Sequence, residues 1–144
     1  MKGFITGTFD LFHAGHSRLL QQARRHCDEL YVGILTDQRV KEKKGEMRPI
    51  FGLQHRLEIL YNNRNVTEVR PIRYAGENSV VGIRELLTLW KPDIWICGAQ
   101  QSSRHNYELL SKEFTMEYLV MNCEVIHTTH IINKIIERAK EHGI

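Results

Sequence analysis

An α/β fold, one parallel sheet with helices on both faces, is what this 144-residue sequence predicts, on three observations. Short apolar segments alternate along the chain with segments whose apolar residues recur at helical spacing. The segments 30–35 and 94–98 are apolar without alternation, as in strands buried on both faces. No internal repeat, low-complexity tract or linker interrupts the pattern, so residues 1–144 read as a single domain.

Residues 2–6 lean apolar and stop at Gly7, which makes a first strand and a tight turn. From about residue 15 to 26, Leu19, Leu20, Ala23 and Cys27 keep helical spacing, and Arg24, Arg25 and His26 suit the negative pole of that helix. Residues 30–35 are the second strand, closed by Thr36-Asp37. Residues 38–49 are polar and basic, with Lys41, Lys43, Lys44, Gly45 and Arg48, and read as a mobile loop or ragged helix. Leu53, Leu57 and Leu60 restore the helical period until Asn62-Asn63. Residues 66–72 give a third strand, 80–90 an amphipathic helix, and Lys91-Pro92-Asp93 a break before the fourth strand at 94–98. A short helix is expected at 106–114, a last strand at 123–126, and a closing helix from Thr129 to near Gly143. Right-handed crossovers then place the chemistry beyond the carboxyl ends of the strands, after Thr6, Leu35, Ile72, Gly98 and Ile126.

Composition narrows the function. Lys and Arg number 20 against 17 Asp and Glu, and the basic residues gather only at 39–48, which argues against a nucleic-acid binder. No apolar run approaches the roughly 20 residues that span a bilayer, and the N-terminus lacks the apolar stretch of a signal peptide. Cys27, Cys97 and Cys123 form no CxxC pair, so neither a disulfide framework nor a four-cysteine zinc site is expected, and the chain reads as cytoplasmic.

The segment from Gly7 to His16, GTFDLFHAGH, joins the first strand to the first helix. A glycine at each end, a helix N-terminus with free N–H groups, and His13 and His16 three residues apart suit a phosphate that gains charge during reaction. The bland alternative is that one histidine packs and the other caps the helix. No third or fourth ligand stands at a zinc-like spacing, so no metal ligands are assigned.

Gly7-Thr8-Phe9-Asp10 followed by His13-Ala14-Gly15-His16 resembles the signature of the cytidylyltransferase-like nucleotidyltransferases. Lys44-Gly45, Arg48-Pro49 and Leu53-Gln54-His55-Arg56, then Asn65 to Val69 and Lys91-Pro92-Asp93-Ile94 with Gly98, resemble further stretches of that family. The similarity covers most of the chain and is nearest to glycerol-3-phosphate cytidylyltransferases and the nucleotidyltransferase domain of the bifunctional heptose enzyme. It implies a Rossmann-like fold and transfer of CMP from CTP to a phosphorylated small alcohol or sugar, with pyrophosphate released and Mg2+ accompanying the triphosphate. His13, His16 and Lys44 would then be catalytic. Gly7, Thr8, Phe9, Asp10, Gly15, Gly98, Thr128 and Thr129 would bind nucleotide beside the histidines. Asp10, Lys44, Arg56 and Arg104 would contact substrate, with Lys41 or Lys43 as substitutes for Lys44. A homodimer is implied too, with Phe51, Tyr74 and Trp90 as candidate interface residues.

Two stretches depart from the family pattern. The Arg and Gly of its C-terminal Arg-Thr-x-Gly turn have no counterpart, and His127 stands where it has serine, although Thr128 and Thr129 keep hydroxyls and a helix cap. The loop from Gly98 to His105 lacks the acidic residues of the glycerol-3-phosphate branch. Adenylyl transfer from ATP, and a nucleotide-binding module without turnover, are the alternatives.

Overall fold

A computed structural model describes residues 1–76, 80–99, 101, 103–122 and 127–144. The chain runs through β1 (Lys2–Gly7), α1 (Ala14–Arg24), β2 (Glu29–Leu35), α2 (Asp37–Lys44), α3 (Leu53–Tyr61) and β3 (Glu68–Ile72). It continues through α4 (Val80–Trp90), β4 (Ile94–Gly98), α5 (Arg104–Glu113), β5 (Glu117–Met121) and α6 (Thr128–His142). Among the described residues, five strands form one parallel sheet in the order β3-β2-β1-β4-β5. This is the expected Rossmann-like arrangement, with the strand order reversing between β1 and β4.

Alternation along β1 sorts the core into two layers. Phe4, Tyr31 and Trp95 face Ile83, Leu86, Leu87 and Trp90 of α4 and Tyr107 and Leu110 of α5. Ile5, Val32, Ile34 and Ile96 face Leu20 and Ala23 of α1 and Leu60 of α3. Helices therefore cover both faces, and each layer is closed by burial of branched and aromatic side chains.

Two expectations need correction, and a third falls outside the described residues. The basic stretch after β2 is a regular helix, α2. Thr36 caps it by accepting from the Arg39 N–H, Asp37 sits in its first turn, and Lys41, Lys43 and Lys44 sit in its last. Its charges follow the helix dipole, which stabilises a helix that buries only Val40. The fifth strand is β5, whereas the strand expected at 123–126 lies outside the described residues. Trp90 is no interface residue, being 4% exposed against Tyr31 and Phe4 and donating its indole N–H to Glu68. Phe51 stacks on His55 at 3.9 Å.

The sheet has a seam. β1 pairs with β2 along its whole length, from Lys2 to Gly7, but with β4 only at Gly3 and Phe4. Beyond Phe4 the strands part, and the Gln101 side chain stands between them. Its amide N–H donates to the Thr6 carbonyl at 2.8 Å, and its carbonyl accepts from the Gly98 N–H at 3.3 Å. Among the described residues no helix is long and apolar enough to cross a membrane.

Gly82 shows how tightly α4 is seated. A methyl group there would lie 2.2 Å from the Arg73 carbonyl oxygen, a backbone atom with little room to move. Gly82→Ala is expected to destabilise the protein by about 1–3 kcal/mol in urea denaturation. An unchanged midpoint would contradict this packing.

Candidate active site

A cavity of about 450 Å³ opens where the seam widens, beyond the carboxyl ends of β1 and β4. It is lined by Gly7, Thr8, Phe9, Asp10, His13, Gly15, His16, Lys44, Gly98 and Thr128, residues that the sequence singled out. Thr129 and Arg56 do not line it. Arg104 opens α5, and its side chain lies outside the described residues.

The loop from β1 to α1 is held in an unusual shape. Phe9 and Leu11 both have positive φ, 54° and 48°, which side chains with a Cβ rarely adopt. Gly7 serves this loop by its size and not by a turn: a Cβ there would come within 2.7 Å of the Phe9 ring. Asp10, 1% exposed, fixes the conformation. Its carboxylate accepts from the N–H groups of Leu11 (3.0 Å), Ile50 (2.7 Å) and Phe51 (2.8 Å). Asp10 thus lines the cavity, but its oxygens are committed to backbone and a substrate-binding role for them is not supported.

His13 and His16 stack at 3.8 Å between ring centroids. His13 is the N-cap of α1, with its Nδ1 accepting from the Gly15 N–H at 3.0 Å. His16 Nδ1 accepts in turn from the His13 N–H at 3.3 Å, completing a capping box built from imidazoles. With each Nδ1 an acceptor, the neutral tautomer of each ring carries its proton on Nε2, as a donor. His13 Nε2 lies 3.4 Å from the Thr128 hydroxyl, which itself donates to the Asp10 carbonyl at 3.0 Å. Burial first, then His13 and Lys44, hold His16 down to about 3, against a weaker opposing pull from Asp10. Burial and His127 lower His13 as well. Capping and a chemical role are therefore not alternatives: burial favours the neutral form of both rings, and the cap uses only their Nδ1 atoms.

α2 brings Lys43 and Lys44 to the cavity wall, and Lys43 donates to Ser103 at 3.3 Å. Desolvation and the neighbouring Arg48 push Lys44 below the ordinary lysine range, with Asp10 opposing. Arg56 departs from both of its expected readings, since it is neither a surface residue nor a ligand contact. It is fully buried, and its guanidinium donates to Phe51 O (2.9 Å), Thr8 O (2.9 Å), Leu35 O (2.8 Å) and Asp37 Oδ1 (2.7 Å). It is a positioning residue.

His127, not a threonine, is the N-cap of α6, and it makes no side-chain cap bond. Sequence reasoning passed over Thr6, Gln101 and Tyr107, all on the cavity wall. The Thr6 hydroxyl is buried without a partner among the described residues. Thr6 and Gln101 flank strand ends that the fold rule points to, so position was the available signal. Tyr107 offered none, because its contact depends on how α5 packs on Trp95. A smaller cavity of about 80 Å³ adjoins the first, sharing Lys43, Ser103 and Tyr107 and adding Arg39 and Arg73. Among the described residues no three His, Cys, Asp or Glu side chains are grouped to hold a metal ion.

A family model described as cytidylyltransferase-like matches residues 4–140. The bifunctional protein HldE of Helicobacter acinonychis is 34% identical over 136 residues, which is 94% of this chain and 27% of that protein. HldE of Hyphomonas neptunium is 50% identical over 58 residues, 40% of this chain and 12% of its own length. The chain thus spans about a quarter or less of these relatives. Among solved structures, a lipopolysaccharide core biosynthesis protein from Thermoplasma volcanium superposes with a TM-score of 0.70 at 22% identity, covering 87% of this chain and 98% of that one. That likeness concerns the fold.

Arg56→Met strips donors from three buried carbonyls and leaves Asp37 without its cation. A loss of about 3 kcal/mol is expected in chemical denaturation. A variant as stable as the parent would remove Arg56 from this role. For His16, NMR titration should show a neutral ring down to about pH 4, given its pKa of about 3. The unfolded chain takes up that proton first, near the ordinary 6.5. The contribution of His16 to stability is therefore complete above that pH and drains away as pH falls towards 3. Titration of His16 near 6.5 in the folded protein would contradict the capping arrangement.

Proposed function

The chain belongs to the cytidylyltransferase-like family, and on that premise we propose that it is a nucleotidyltransferase. A phosphate oxygen of a phosphorylated small alcohol or sugar attacks the α-phosphorus of a nucleoside triphosphate in line. The bond from that phosphorus to the bridging oxygen breaks, and pyrophosphate leaves with the electron pair. Magnesium enters as part of the nucleotide substrate, held by phosphate oxygens and water, an arrangement this ion favours.

One observation carries this reading: two stacked imidazoles at the N-terminus of α1, with the His16 Nε2–H left as a donor and the His13 Nε2 beside the Thr128 hydroxyl. Such donors stabilise the charge that grows on the α-phosphate and the bridging oxygen without adding a proton-transfer step. Lys44 and the helix N-termini offset charge on the outer phosphates. The cationic lining of the adjoining cavity, Arg39 and Lys43, supports a phosphorylated acceptor there.

The sequence motif favours CTP as donor. A second reading, adenylyl transfer from ATP, gains support from one finding. The two HldE relatives described above carry the name of the bifunctional heptose enzyme, whereas the weight for CTP partly rested on the glycerol-3-phosphate branch. The same shift favours a sugar phosphate as acceptor.

Pyrophosphate release, with CTP and ATP each crossed against glycerol 3-phosphate and a set of sugar phosphates, tests the proposal. Acceptor-dependent release with one nucleotide is expected. Nucleotide affinity without release against any acceptor would favour a binding module. His16→Ala should slow turnover by about two to three orders of magnitude, since loss of one such donor costs roughly 3–4 kcal/mol of barrier. A near-normal rate in a folded His16→Ala protein would sink the mechanism.

A further inference from the structure

Cations and a helix N-terminus converge on the smaller cavity, and among the described residues no carboxylate lines it. Arg39 and Lys43 of α2, Arg73 beyond β3, and Ser103 and Asn106 at the start of α5 build its polar wall. The carboxylates that answer the two arginines lie outside it. Glu42 accepts from Arg39 at 3.3 Å, and Glu85 accepts from Arg73 in an exposed pair. Surface pairs of this kind are weak and leave much of the cationic character in place. Lys43 donates to the Ser103 hydroxyl, a neutral partner, at 3.3 Å. Burial first, then the neighbouring Arg39 and Lys44, push its pKa down. Ser103 is also the N-cap of the 10-residue α5, makes no side-chain cap bond, and is followed by no acidic residue in the first turn. Lys43 therefore abuts the positive pole of a helix, a place that favours anions and disfavours cations.

The position of this cavity matters as much as its charge. It shares Leu35, Lys43, Ser103 and Tyr107 with the larger cavity, where the histidine pair stands. An acceptor whose phosphate lies at the histidines extends past Lys43 into the smaller space. At about 80 Å³ that space has room for roughly five to eight atoms of water size, enough for one compact group and too little for a second sugar ring. A hydroxyl group there would leave the lysine and the helix pole unanswered.

We infer that the acceptor carries a second anionic group, a phosphate or a carboxylate remote from the phosphate that reacts, and that Arg39, Lys43 and the N-terminus of α5 bind it. This rests on the nucleotidyl-transfer reading above and names the class of its acceptor, a sugar or polyol charged at both ends. A guanidinium matches the geometry of either anion and keeps its charge at any working pH. The remote anion would also relieve the contact between Lys43 and the pole of α5, and it would hold the acceptor in one orientation towards the histidines.

Pyrophosphate release by the full chain, with CTP and with ATP, tests this on acceptors alike at the reacting phosphate and different at the far end. One set is glucose 1-phosphate, glucose 1,6-bisphosphate and glucuronic acid 1-phosphate, and a second is glycerol 3-phosphate and 3-phosphoglycerate. The kcat/KM of the doubly charged member should exceed that of the singly charged one by about tenfold or more. A preference confined to the bisphosphate assigns the remote group as phosphate, and one confined to the acids as carboxylate. In Arg39→Met the preference should shrink to within about threefold, with Arg39→Lys in between. Equal kcat/KM for singly and doubly charged acceptors overturns the inference and leaves the transferase reading standing. A preference that Arg39→Met keeps in full overturns the assignment of the remote anion to this cavity. Release with no acceptor of either set overturns both readings. Should Arg39→Met not fold, the ratios of the parent and of Arg39→Lys decide, and identical ratios overturn the role of Arg39.

Discussion

The arrangement of the site depends on one buried cation, the guanidinium of Arg56. It collects carbonyls from the loop after β1, the end of β2 and the segment before α3, and it holds Asp37 at the start of α2. Asp10 does the converse, gathering N–H groups from its own loop and from residues 50 and 51. Loops that lack a ladder must find partners for their backbone groups or lose stability. Here two oppositely charged side chains supply them, one taking the acceptors and the other the donors. Two left-handed residues, Phe9 and Leu11, persist on either side of Asp10 because their surroundings leave the chain no cheaper path.

This scaffold separates two electrostatic tasks. Burial lowers the pKa of both histidines, with His127 adding to it at His13 and His13 and Lys44 adding to it at His16. Positive charge comes from Lys43 and Lys44 on α2, from Arg48 behind them and from helix N-termini. The neutral imidazoles sit on α1 and the cations Lys43 and Lys44 on α2.

The sequence announced the elements whose burial pattern is regular. α4 and β4 fall where spacing put them, because Ile83, Leu86, Leu87 and Trp90 face one layer and the residues of β4 are enclosed on both sides. β5 was missed because Glu117 to Met121 forms a sheet edge with only Met121 buried, which leaves a weak apolar signature. α2 lacked an apolar period, and its order comes from capping and charge placement. At the site, the GTFD and HxGH residues were legible because the motif is contiguous. The roles of Arg56 and Gln101 were not, since each acts on groups far away in the chain that only the fold brings near.

The seam between β1 and β4 has a mechanical consequence. Only Gly3 and Phe4 of β1 register with β4, so the two halves of the sheet are fastened at one end and held elsewhere by the Gln101 amide. A molecule lodged in the opening touches Thr6 and Gly7 on one side and Gly98 and Ala99 on the other. It would supply the cross-links that the backbone withholds there. Binding at that point would add its free energy to the cohesion of the sheet, so occupancy and cohesion become linked quantities.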